Sequence, residues 1–174
     1  MKKILFAIII AVVGGLSVMC TSAQEKEIAI VAHRGFWNCD AAGSAKNSIA
    51  ALAQAQELGV WGSEFDVNLS EDGVLLVFHD GSVDGKRIEK NPASAFADHR
   101  LKNGERIPVI DEYLEQAKKH PETMLVYELK KHSCDSVETK AVDASIAKLK
   151  EYGLFDPQHV MFISFSKHIC KEFA

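Results

Sequence analysis

The stretch Trp61-Gly62-Ser63-Glu64-Phe65-Asp66-Val67-Asn68-Leu69 decides how this chain folds. Acidic and apolar residues alternate along it with the period of a strand, so Glu64 and Asp66 share one face while Phe65 and Val67 share the other. Two acids at this spacing have an ordinary explanation, a solvated strand edge. They also have a chemical one, a pair of ligands held inside a fold. The sequence on either side separates the two.

Upstream, Ile28 to Ala32 is a second apolar run, ending in His33-Arg34-Gly35. A polar loop follows, and Asn47 or Ser48 can cap a helix that runs through Leu58 and stops at Gly59. Downstream, Glu71-Asp72-Gly73 reads as a turn, and Val74 to Phe78 is a third strand ending in His79-Asp80. The segment 81–108 is polar and weakly patterned, an excursion off the main fold. A helix then starts at Asp111, with Ile110, Leu114 and Ala117 in register, and ends at Pro121. Met124 to Leu129 is a fourth strand, carrying Glu128 and followed by Lys130. A third helix has Val142, Ile146 and Leu149 on its apolar face and closes near Gly153, and Val160 to Phe165 is a fifth strand. Strand-then-helix alternation predicts one α/β domain, a parallel sheet with helices outside.

Polar residues gather at the ends of these strands, where (β/α) barrels carry their active sites. His33 and Arg34 end the first strand, His79 the third, and Glu128 and Lys130 the fourth; Glu64 and Asp66 lie on the second. Taken alone, Glu128-Leu129-Lys130 reads as an outward salt-bridged pair. Taken together, three carboxylates are hard ligands for Mg²⁺ or Ca²⁺, Arg34 and Lys130 suit phosphate oxygens, and two histidines suit proton transfer near neutral pH. Phosphodiester cleavage is the reaction this set fits. His99, His120, His132, His159 and His168 stand apart and read as surface or hydrogen-bonded residues.

The 174 residues include 47% hydrophobic and 25% charged, a globular mixture with a formal charge of −4 and no basic stripe, which argues against a nucleic-acid partner. Lys2 and Lys3, the apolar run Ile4 to Val13 and the small-residue exit Thr21-Ser22-Ala23 form a secretory signal at 1–23. The run falls short of the ~20 apolar residues that a membrane span needs. Cleavage after Ala23 takes the charge to −6 and leaves Cys39, Cys134 and Cys170, none in a zinc-ligand pattern. Cys20 offers an alternative fate, lipidation and membrane tethering, although Met19 stands where a small residue is usual.

The series Ala32-His33-Arg34-Gly35, Asn47-Ser48, Gly62-Ser63-Glu64-Phe65-Asp66-Val67, His79-Asp80, Ile107-Pro108 and Glu128-Leu129-Lys130 resembles the glycerophosphodiester phosphodiesterases, within the phosphatidylinositol-phospholipase-C-like superfamily. The resemblance covers about residues 29–166. It implies a TIM (β/α)8 barrel that hydrolyses glycerophosphodiesters to glycerol 3-phosphate and an alcohol. It further implies Glu64, Asp66 and Glu128 as ligands of a divalent cation, His33 and His79 as the acid–base pair, and Arg34 and Lys130 on the phosphate. Residues 24–174 then form the catalytic domain, with 81–108 a small cap-like insertion, in a periplasmic protein. The family reads Pro-Glu-Asn-Thr where this chain has Ala45-Lys46-Asn47-Ser48, so Lys46 replaces an acid beside the site. A TIM barrel takes ~250 residues and eight strands, so the five strands here predict a barrel truncated at its C-terminal side. A catalytically inactive fragment and a related phospholipase acting on lipid headgroups are the alternative readings.

Overall fold

The computed structural model describes residues 28–174; the expected export signal, with its expected cleavage after Ala23, and Cys20 lie outside them. Four parallel strands, β1 (Val31–Ala32), β2 (Gly62–Leu69), β6 (Met124–Leu129) and β7 (Val160–Ile163), are hydrogen-bonded in that order. The crossovers between them carry α1 (Ile49–Leu58), α2 (Ile110–Ala117) and α3 (Asp135–Glu151), and α4 (Lys167–Glu172) follows β7. This is the expected α/β alternation.

One strand departs from it. β3 (Leu75–Val77) is antiparallel to β2, with Leu69 opposite Leu75 and Val67 opposite Val77. The connection is a tight turn in which the Ser70 N–H donates to the Val74 carbonyl at 2.9 Å. So few residues cannot make a parallel crossover, which needs a dozen or more. β3 therefore doubles back, and its end returns to the level of Asp66, where the Phe78 N–H donates to the Asp66 carbonyl at 2.9 Å.

β2 is the central strand, and all eight of its residues are buried. The exposed-edge explanation of Glu64 and Asp66 is thereby removed. Phe65, Val67 and Leu69 enter the main apolar core with Tyr113 and Leu114 of α2, Leu125, Tyr127 and Leu129 of β6, and Val142 and Leu149 of α3. The Phe65 ring lies 4.5 Å from Tyr113 and 5.0 Å from Tyr127, centroid to centroid. Alternation leaves Glu64, Asp66 and Asn68 on the other face of the sheet.

The excursion 81–108 has more structure than its sequence suggests. It holds the hairpin β4 (Ser82–Val83) and β5 (Lys86–Arg87), two short 3-10 turns, and a second small core of Val83, Ile88, Phe96 and Ile107 closed by Leu76 of β3.

Candidate functional site

The register of β2 against β6 places Asp66 directly opposite Glu128, with Glu64 one pleat further back on the same face. Glu64, Asp66 and Glu128 bring carboxylate oxygens within 4.8 Å of one another, and all three are buried. Like charges this close in a dry site repel, and the strain falls on Glu64. Burial, then the Asp66 charge, pushes its pKa up from 4.5 to about 7. Its Oε1 is buried and has no hydrogen-bond partner. A hard, all-oxygen donor set with one buried oxygen left over fits a divalent cation.

Two cations share the remaining charge. Lys130 Nζ donates to Glu128 Oε1 at 2.6 Å and to Asp66 Oδ1 at 3.1 Å. Burial alone would depress its pKa; the two carboxylates outweigh that and hold it above the usual lysine value. The Glu128–Lys130 pair therefore exists, but it faces the site rather than solvent. Arg34 Nε lies 3.4 Å from Asp66 Oδ2. Its backbone N–H donates to Glu64 Oε2 at 2.8 Å, which requires a left-handed turn, φ +60° at Arg34 and +76° at Gly35. A Cβ at Gly35 would sit 2.7 Å from the Ala51 backbone, so only glycine lets α1 pack this close.

The histidines stand on the open side. His33 Nε2 is 3.8 Å from Glu64 Oε2, and its side chain is 71% exposed. Partial burial and the adjacent Arg34 charge lower its pKa, and the nearby His79 adds to the effect. His79 reaches this group because β3 turns back, and its Nδ1 is held by Asp80 Oδ1 at 2.7 Å. Glu64, Asp66, Glu128, Arg34, Lys130 and His33 thus form one connected group, and His79 lies near enough for its charge to act on His33.

Two asparagines complete the arrangement, and their roles were not visible in the sequence. Asn47, buried and left-handed at φ +58°, donates from Nδ2 to Asp66 Oδ2 at 2.8 Å and accepts from the Asp66 N–H at 3.2 Å. Asn68 donates to the Phe78 carbonyl at 2.7 Å and so ties down the segment that carries His79. The chain motif Asn47-Ser48 signalled a helix start, and Ser48 is indeed the cap of α1. Of the histidines set aside, His132 is buried and accepts the Leu69 N–H at 3.0 Å, a structural role. Cys39, Cys134 and Cys170 are all free thiols.

The sequence model of the glycerophosphoryl diester phosphodiesterase family matches residues 33–174. A glycerophosphodiester phosphodiesterase of Caldanaerobacter subterraneus subsp. tengcongensis is 36% identical over 49% of this chain and 39% of its own length. Among solved structures, a glycerophosphodiester phosphodiesterase from Parabacteroides distasonis superposes with a TM-score of 0.79 at 40% identity, over 83% of this chain and 59% of that one. An Oleispira antarctica phosphodiesterase, solved with the product sn-glycerol-3-phosphate, gives 0.67 at 26% identity, over 83% and 60%. The chain thus spans about two fifths of that curated relative. The parallel order of β1, β2, β6 and β7 is that of the TIM-barrel fold expected from the sequence. The family match spans His33 through Lys130, every residue of the rim described above, and on that ground the chain belongs to the glycerophosphoryl diester phosphodiesterase family.

Proposed function

We propose that the protein hydrolyses glycerophosphodiesters to glycerol 3-phosphate and an alcohol, using a divalent cation held by Glu64, Asp66 and Glu128. The observation that carries this reading is the buried triad of acids within 4.8 Å, flanked by two cations and open on the side of two histidines. A divalent cation there supplies a Lewis acid for the phosphoryl oxygens. Lys130 has three N–H donors and spends two on Asp66 and Glu128, leaving one for a phosphate oxygen. Arg34 adds a planar fork beside it. His33, kept neutral by its lowered pKa, takes the proton of the attacking oxygen at Nε2. Asp80 fixes His79 through Nδ1, so Nε2 is the atom that delivers a proton to the departing alkoxide.

The test is release of glycerol 3-phosphate from glycerophosphodiesters by the full chain with Mg²⁺ or Ca²⁺. Activity should vanish with a chelator and with Glu64→Gln, and fall about 10²–10⁴-fold with His33→Ala. Turnover that survives both chelation and Glu64→Gln would overturn the cation assignment. The signal at 1–23 supports export to the periplasm as the chain's destination, with lipidation at Cys20 as the alternative; the mass of the protein isolated from the envelope distinguishes them.

A further inference from the structure

The rim carries one charge that the proposed chemistry does not use. The loop between β1 and α1 is laced to itself and to the helix, the Asn47 N–H donating to the Arg34 carbonyl at 3.1 Å and the Phe36 N–H to the Ala51 carbonyl at 2.9 Å. This sets exposed Lys46 over half-buried Trp37, with Nζ 4.6 Å from the ring centroid. Lys46 also immediately precedes Asn47, whose side chain is bonded to Asp66, so its backbone is tied to the acid face.

An accessible indole face attracts a quaternary ammonium. Here that face already holds a cation, so a choline-type headgroup meets like charge instead of an open ring. Arg34 stands on the same rim, and Asp80 is paired with His79. An anionic headgroup meets the opposite situation, the two cations Lys46 and Arg34.

We propose that the Lys46–Trp37 pair selects the headgroup, favouring glycerophosphodiesters that carry a further anionic group over those that carry a quaternary ammonium. The inference rests on the hydrolase reading for its substrate class, and its test separates the two. Lys46 is on the surface, so its variants should fold normally.

Calorimetric binding to the full chain, loaded with Mg²⁺ or Ca²⁺, would compare three probes: glycerophosphocholine, glycerophosphoglycerol, whose headgroup is uncharged, and deacylated cardiolipin, whose headgroup bears a second phosphodiester. Hydrolysis of each would be followed in parallel. The wild type should bind the anionic probe about tenfold more tightly than the choline probe at low salt, with the gap narrowing as salt rises. Lys46→Arg should keep this order, Lys46→Gln should erase it, and Lys46→Glu should reverse it, through KM rather than kcat. If Lys46→Glu reverses the binding order while no probe is turned over, the selector stands and the hydrolase reading fails. If the probes are hydrolysed but their order is the same in Lys46→Glu, the selector is overturned and the hydrolase reading stands. If no probe binds, both fall.

Discussion

The two faces of β2 and β6 are buried alike and do opposite things to stability. On one, Phe65, Val67, Leu125 and Tyr127 are sealed under helices, where removal from water stabilises the fold. On the other, Glu64, Asp66 and Glu128 are just as inaccessible, yet each carboxylate gives up hydration and faces its neighbours' charge. The same backbone ladder holds both, so the apolar face supplies the stability against which the acids are kept together. Burial alone does not distinguish a core from a site; the sign of its contribution does.

The sharpest break of that contrast is Phe65→Ala. It removes a ring packed against Tyr113 and Tyr127, and should cost about 3–5 kcal/mol in denaturant unfolding. A loss well under that would mean the helices close over the gap.

The opposite face should respond with the opposite sign. Glu64 titrates near 4.5 when unfolded and near 7 in the fold, so folding favours its protonated form. The stability that this contributes is complete below about pH 4.5 and is lost as pH rises through about 7. Chelator-treated protein should therefore be less stable at pH 8 than at pH 5, with a Glu64 contribution of about 2–3 kcal/mol at most. Glu64→Gln should flatten this dependence and stabilise the ion-free protein above neutrality, while weakening Mg²⁺ or Ca²⁺ binding more than tenfold. Unchanged stability against pH in the wild type would show that Glu64 is already neutralised by its neighbours.

A smaller effect lies between the faces. Asn47→Ala deletes both hydrogen bonds to Asp66 and should cost about 1–3 kcal/mol, because one of them serves a charged acceptor. It should also loosen ion binding without altering any ligand. Equal ion affinity in wild type and Asn47→Ala would reduce Asn47 to a packing residue.

The sequence made the apolar face and the acidic face legible together, since strict alternation in 64–69 states both at once. It left the direction of β3 unread, although the four residues between Leu69 and Val74 exclude a parallel crossover on length alone. The small core of the excursion had no legible signal, because Val83, Ile88, Phe96 and Ile107 recur at no regular period. Asn47 was readable as a turn or cap residue, but its partner Asp66 is 19 positions away and only the fold brings them together. α4 is six residues long, too short for an apolar stripe to show.

The smallest effect tests how firmly the excursion supports the acids. The first turn of α1 presents free N–H groups, and two side chains from different places meet them. Ser48 Oγ accepts from Ala51, and Glu105, at the far end of the excursion, accepts from Ile49 at 2.8 Å and Ala50 at 3.2 Å. Ser48→Ala should cost about 1 kcal/mol. Glu105→Gln keeps one acceptor but loses its charge at the helix N-terminus, and should cost about 0.5 kcal/mol, less at high salt. Asn47 immediately precedes this cap and holds Asp66, so a loosened cap should pass to the acid face as a two- to threefold weaker divalent-ion affinity, on the order of 0.5 kcal/mol. If both variants lose stability while ion affinity stays the same, the Asn47–Asp66 pair is set by the left-handed loop alone and the excursion supports only the apolar side of the fold.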